Sequence, residues 1–346
     1  MKHRFTISLY GASRYRLLLY GFAALWILYV HMLFTPPEGP LKAPLLWLKM
    51  NGGCGVTLFA MLSGMGLYRS LSRNPNVLAF YKRRLLRLLP TSLIVAIVFM
   101  GFQPGGGLDY LSSITFVSYW LGADTLWYVP YMMLMYLIYP ALYALQRRSP
   151  WLLWIPLALS VGFAFAAPVL FPGWAEACKL GIQHTPAFIL GCILTPAVEK
   201  HRRVPVWILP LLLVAYAWAF SLYPKVGVHR EFALCVSYLF LAPLVILLLI
   251  PLSKFLSRGR IRHGFYRLLA YMGTFSLEIY LLYSRLLSML RSLPDFVAGR
   301  ISDDKLNALC VLLTLMLAPM LRYLCQMLID HFRNTPVPWR SNAEGL

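Results

Sequence analysis

Ten mostly apolar stretches, each close to twenty residues and separated by short loops, leave this chain few ways to fold. They fall at residues 17–34, 53–71, 86–102, 126–145, 151–171, 180–198, 204–222, 232–251, 268–290 and 306–329. About 20 apolar residues in a helix cover the hydrocarbon core of a bilayer. Inside that core every backbone N–H and C=O must find a partner within the protein, so such stretches cross as helices. The composition agrees: 60% of residues are hydrophobic, 13% are charged, and mean hydropathy is +0.66. These values exclude an ordinary soluble domain. The expected fold class is all-α, a polytopic bundle of about ten transmembrane helices. The apolar segment 110–121 is too short to cross and suits an interfacial or re-entrant piece.

The loops alternate in charge. One set collects most of the cations, among them Arg14, Arg69, Lys82, Arg147, Arg148, Lys200, Arg203, Lys254, Arg258 and Arg340. The other holds most of the acids: Glu38, Asp109, Asp124, Glu176, Glu231, Asp295, Asp303 and Asp304. The positive-inside rule then places both termini in the cytoplasm. It also accounts for the net charge of +20, so no nucleic-acid partner is expected. Every loop is short, which predicts one transmembrane domain over residues 1–346, with cytoplasmic tails at 1–16 and 330–346. The first stretch lacks a small-residue cleavage site and reads as a retained helix. The six cysteines show no metal or disulfide spacing, so no metal site is expected.

Few ionisable groups sit at bilayer depth, where such groups are costly. His31 lies near the outer end of the first stretch, and an imidazole exchanges protons near neutral pH. Its position alone is equally compatible with a headgroup contact. Glu278 lies inside the ninth stretch, with Arg285 seven residues on and on nearly the same face. The two could line a polar cavity or hold helices together. Arg83, Arg84 and Arg87 precede the third stretch within about one turn, and Arg87 can share a face with either of the others. Their forked guanidinium groups suit phosphate, although isolated arginines there would only set topology. Residues 52–66 are rich in Gly and Ser, which permits close helix approach.

In this order the segments resemble the membrane-bound acyltransferase 3 family. His31 matches a His at the end of the first helix. Gly55, Val56, Leu58, Phe59, Ser63 and Gly64 match a second-helix motif. Phe80, Arg83, Arg84, Arg87 and Pro90 match an arginine motif, and Trp127, Tyr128, Tyr136 and Pro140 a later helix. The segments 186–191 and 276–281 are also similar to family segments. Three positions depart from the pattern. Tyr20 stands where an Arg is frequent, with Arg16 one turn earlier; Tyr283 replaces a second His; Thr57 replaces a frequent acid.

The resemblance implies an O-acyltransferase of the cell envelope, in a bacterial plasma membrane. An acyl group, usually acetyl, would pass from cytoplasmic acyl-CoA to a hydroxyl of a polysaccharide, other glycan or lipid-linked sugar. On this reading His31 is the general base and Glu278 orients or charge-balances the site. Arg83, Arg84 and Arg87 bind the CoA phosphates, and Arg285, Tyr283, Trp127 and Ser63 contact substrate. Two other readings stay open: a transporter or flippase of a glycan or lipid intermediate, and an inactive membrane scaffold.

Overall fold

The computed structural model describes residues 5–32, 36–99, 111–112, 114–121, 127–258, 260–294, 299 and 301–334. The helices, in order, are α1 (Tyr10–Arg14), α2 (Arg16–His31), α3 (Lys42–Met50), α4 (Gly53–Arg73), α5 (Val77–Val98), α6 (Val117–Trp120) and α7 (Tyr128–Arg148). They continue as α8 (Trp154–Leu170), α9 (Pro172–Glu199), α10 (Ile208–Leu222), α11 (Arg230–Leu256), α12 (Arg260–Thr274), α13 (Ser276–Arg291) and α14 (Asp303–Asn334). The fold is all-α apart from two three-residue strands, β1 (Thr6–Ser8) and β2 (Arg203–Pro205), which pair antiparallel. The expected boundaries Phe34, Phe102, Tyr110 and Leu126 lie outside the described residues. So do the acids Asp109, Asp124 and Asp295, and residues 335–346 of the tail.

Each of the ten apolar stretches is helical over most of its length. Among the described residues, five helices are long and apolar enough to cross a membrane: α7, α8 with its leading turn, α9, α11 and α14. The bent pair α3–α4 makes a sixth when taken as one span, with 54° between its halves, while α2 and α10 are apolar but shorter. Helix α5 starts at Val77, well before the expected residue 86, so the basic run falls inside it. Asn76 caps it, its side chain accepting from the Ala79 N–H at 2.9 Å. The ninth stretch is broken at Phe275 into α12 and α13. Arg322 Nη1 donates to the Thr274 carbonyl at 2.6 Å, satisfying an acceptor left free at the end of α12. Glu278 therefore occupies the first turn of a helix rather than the middle of one. The 1–16 segment is likewise more structured than a tail, since β1 and α1 occupy it.

The bundle is held by close backbone approach. A Cβ on Gly64 would lie 2.2 Å from the Phe188 carbonyl oxygen, and one on Gly191 would lie 2.1 Å from that of Met61. Only glycine lets α4 and α9 pack this tightly, as small residues do between membrane helices. The α2–α12 contact is built the same way: Gly21 abuts the Leu269 carbonyl and Gly273 that of Leu17. Large apolar side chains remain exposed on α8, α10 and α14, among them Leu159, Val214, Trp218, Met316 and Met320. Such a surface belongs against lipid.

Candidate active site

Five helices contribute one face each to a pair of adjoining cavities. On α2 the lining residues are Arg16, Tyr20, Ala24, Ile27, Leu28 and His31, a stripe at helical spacing. On α4 they include Val56, Phe59, Ser63 and Leu67; on α5, Arg84, Arg87 and Leu88; on α7, Tyr128, Met132 and Tyr136. Helix α13 adds Ser276, Tyr280, Tyr283 and Ser284. From Arg16 to His31 the α2 stripe covers roughly 22 Å of helix axis at 1.5 Å per residue.

The first cavity, about 80 Å³, gathers the guanidinium groups of Arg16, Arg84 and Arg87. No acid lines it among the described residues. Arg16 Nη2 donates to Tyr20 Oη and to the Leu62 carbonyl, both at 2.8 Å. The bare α-carbon of Gly66 makes room for it, since a Cβ there would lie 2.0 Å from Arg16 Nη1. Arg84 packs its guanidinium over the rings of Phe80 and Tyr136, at 5.5 and 5.9 Å. Its Nε is buried with no hydrogen-bond partner among the described residues. A buried guanidinium N–H without an acceptor is costly, and a guanidinium fork suits an anionic ligand.

The second cavity is smaller, about 30 Å³, and holds His31. His31 Nδ1 lies 2.8 Å from the Ile27 carbonyl oxygen. A carbonyl only accepts, so Nδ1 carries the hydrogen and Nε2 of the neutral ring keeps the lone pair. Tyr283 meets this imidazole edge to face, with centroids 6.3 Å apart. The Tyr283 Oη and Ser284 Oγ are buried without hydrogen-bond partners among the described residues. An imidazole and two hydroxyls without partners among the described residues thus line one small space.

The two cavities share Ile27, Phe59, Ser276 and Tyr280 as a common wall. Rings continue this wall: Phe59 stacks on Tyr20 at 5.2 Å and meets Tyr128, while Tyr280 packs against Tyr128 at 5.5 Å.

Of the expected site residues, the structure brings His31, Tyr283, Ser63, Arg84 and Arg87 to these cavities. Arg83 points elsewhere, its Nη2 lying 3.4 Å from Ser70 Oγ. Arg84 and Arg87, three apart, share the inward face. Trp127 lines neither cavity; it precedes α7 and stacks on His184 at 5.6 Å. Glu278 and Arg285 are buried and line neither cavity. Glu278 forms no ion pair at salt-bridge distance among the described residues. Its place in the first turn of α13 gives it the stabilisation that helix N-termini offer to acids.

Arg16 and Tyr280 belong to the site, although the sequence alone did not single them out. The signal for Arg16 was its spacing, one turn before Tyr20, on the same face as His31. Thr57, one of the departures, donates to the Gly53 carbonyl at 3.1 Å and so receives the Nδ1 hydrogen of buried His184 at 2.8 Å.

Helices of this apolar character, packed around two adjoining cavities, define a multi-pass membrane protein. The model of the Acyltransferase domain family, acyltransferase 3, matches residues 18–321, so the chain belongs to this family of membrane acyltransferases. No curated protein and no solved structure matches the chain.

Proposed function

We propose that this protein moves an acyl group, acetyl by family resemblance, from cytoplasmic acyl-CoA to a hydroxyl of a glycan or lipid-linked sugar. The observation that carries this reading is the common wall between a three-arginine cavity and a histidine cavity. Arg16, Arg84 and Arg87 hold the donor's phosphates, and guanidinium forks are well matched to them. The thioester arm then runs past Ser63 and the Phe59–Tyr280 wall toward His31. Nε2 of His31 takes the acceptor hydroxyl's proton as its oxygen attacks the thioester carbonyl. The tetrahedral intermediate collapses, the C–S bond breaks, and the imidazolium returns the proton to the leaving thiolate. The Tyr283 and Ser284 hydroxyls, which belong to the same cavity lining, then donate to the developing oxyanion. Glu278 and Arg285 act as positioning residues, fixing the start and packing of α13 and so the placement of Tyr280 and Tyr283.

The charge alternation of the loops supports a bundle of ten spans with both termini in the cytoplasm. The arginine cavity then faces the cytoplasmic side of a plasma membrane and His31 the outer side. The test is acyl-CoA hydrolysis and transfer by purified protein supplied with envelope glycans, read by mass spectrometry of the acceptor. A mass gain of one acyl group that depends on His31 supports the reading; an intact donor under all conditions removes it.

A further inference from the structure

A third void lies on the far side of the Arg84–Tyr136 wall, between α5 and α7, and its volume is about 420 Å³. Its sides are apolar, formed by Leu85, Met133, Leu134 and Leu137, and Phe116 and Trp120 line it from the α6 segment. Leu137 is 62% exposed, so the void is a groove open to the bilayer rather than a sealed cavity. Phe116 is buried beside it with φ of 61°, a left-handed backbone that costs a bulky residue about 1–2 kcal/mol. An apolar void of about 150 Å³ already stays dry and takes up a hydrocarbon ligand. This larger groove, facing lipid, is a place for a hydrocarbon chain.

The polar groups on the groove decide what the chain is attached to. Tyr81 Oη already donates to the Leu137 carbonyl at 3.0 Å, and Thr115 Oγ1 to that of Leu111 at 2.8 Å. Arg84 is the cation on its lining, with Nε buried and unsatisfied among the described residues. A single guanidinium beside an apolar trough matches one phosphodiester beside one acyl chain. Arg84 lies roughly 10 Å along α5 from Val77. Given the cytoplasmic N terminus proposed above, that depth belongs to the inner leaflet. We propose that an anionic glycerophospholipid of the cytoplasmic leaflet occupies the groove, with its phosphate on Arg84 and one chain between α5 and α7. Because Arg84 also lines the arginine cavity, bound lipid and donor phosphate compete for it.

The experiment is native mass spectrometry of the full chain in mild detergent, equilibrated with phosphatidylglycerol, phosphatidylcholine and an isoprenoid phosphate, with neither donor nor acceptor present. The expected result is one phosphatidylglycerol retained in preference to the other two. Met133→Trp, which fills the groove, lowers that retention roughly tenfold or more, a change of about 1.4 kcal/mol. Leu137→Trp, at the exposed rim, lowers it too without disturbing buried packing. Arg84→Gln brings phosphatidylglycerol and phosphatidylcholine to equal retention. Unchanged retention in folded Leu137→Trp, equal retention of the two phospholipids by the wild type, or preference for the isoprenoid phosphate overturns the proposal. Retention is read without turnover, so an inactive enzyme that still holds the lipid would count against the proposed reaction alone.

Discussion

The two joined cavities differ in the kind of interaction they offer. The arginine cavity is larger, carries three fixed positive charges and is rimmed by tyrosine hydroxyls. The histidine cavity is less than half its volume and holds one imidazole and two hydroxyls without partners among the described residues. The first has the charge to bind a polyanion and, among the described residues, no histidine or carboxylate on its lining. The second has an imidazole and, among the described residues, no cation on its lining. On the proposed reading, binding and chemistry are thus separated along one helix, α2, by about four turns.

Substitutions can test that division, and the largest effect belongs to the base. His31→Ala should lower acyl transfer by about 10²–10⁴-fold, the usual contribution of a general base, with donor affinity unchanged. If donor binding fell as well, the two cavities would not be functionally distinct. Replacing Arg84 and Arg87 together by Ala should do the converse. Each lost guanidinium–phosphate contact is worth about 1.5–3 kcal/mol, roughly tenfold to a hundredfold in donor Kd measured calorimetrically. Tyr283→Phe removes one unpartnered hydroxyl from the histidine cavity. A loss of about 0.5–1.5 kcal/mol, seen in kcat rather than KM, is expected. Gly66→Ala should push the Arg16 guanidinium out of place and raise the donor KM roughly fivefold, about 1 kcal/mol. Arg83→Ala is the smallest, less than about twofold in either parameter, because its side chain lies off both cavities. A large effect there would mean that Arg83 turns inward when donor binds.

Much of this arrangement was readable from residue types and spacing. The apolar stretches located the helices, because hydrophobic length is set by the bilayer and needs no tertiary information. Helical periodicity let Arg87 share a face with Arg83 or Arg84, and the cavity lining selects Arg84. What escaped were features decided by contacts between distant segments. The break at Phe275 depends on Arg322 reaching back to the Thr274 carbonyl, 48 residues away in sequence. That break changes what Glu278 is, from an isolated charge in a span to a first-turn acid. Arg16 was hidden for a related reason: its role depends on space left by Gly66, on another helix. The strand pair was equally invisible, since three residues carry no measurable alternation.

The glycine contacts that join α4 to α9 and α2 to α12 also have a mechanical consequence. Backbones already touching have no side-chain layer to compress, so each pair moves as one stiff plank. Two planks, carrying Phe59 and His31 respectively, frame the passage between the cavities. On the proposed reaction path, transit from the arginines to the histidine calls for rings turning at Phe59 and Tyr280 rather than for helices parting. Packed rings turn more slowly than the ps–ns of exposed side chains, whereas collective helix motions take microseconds to milliseconds. The proposed passage is thus a turnstile set in a rigid frame.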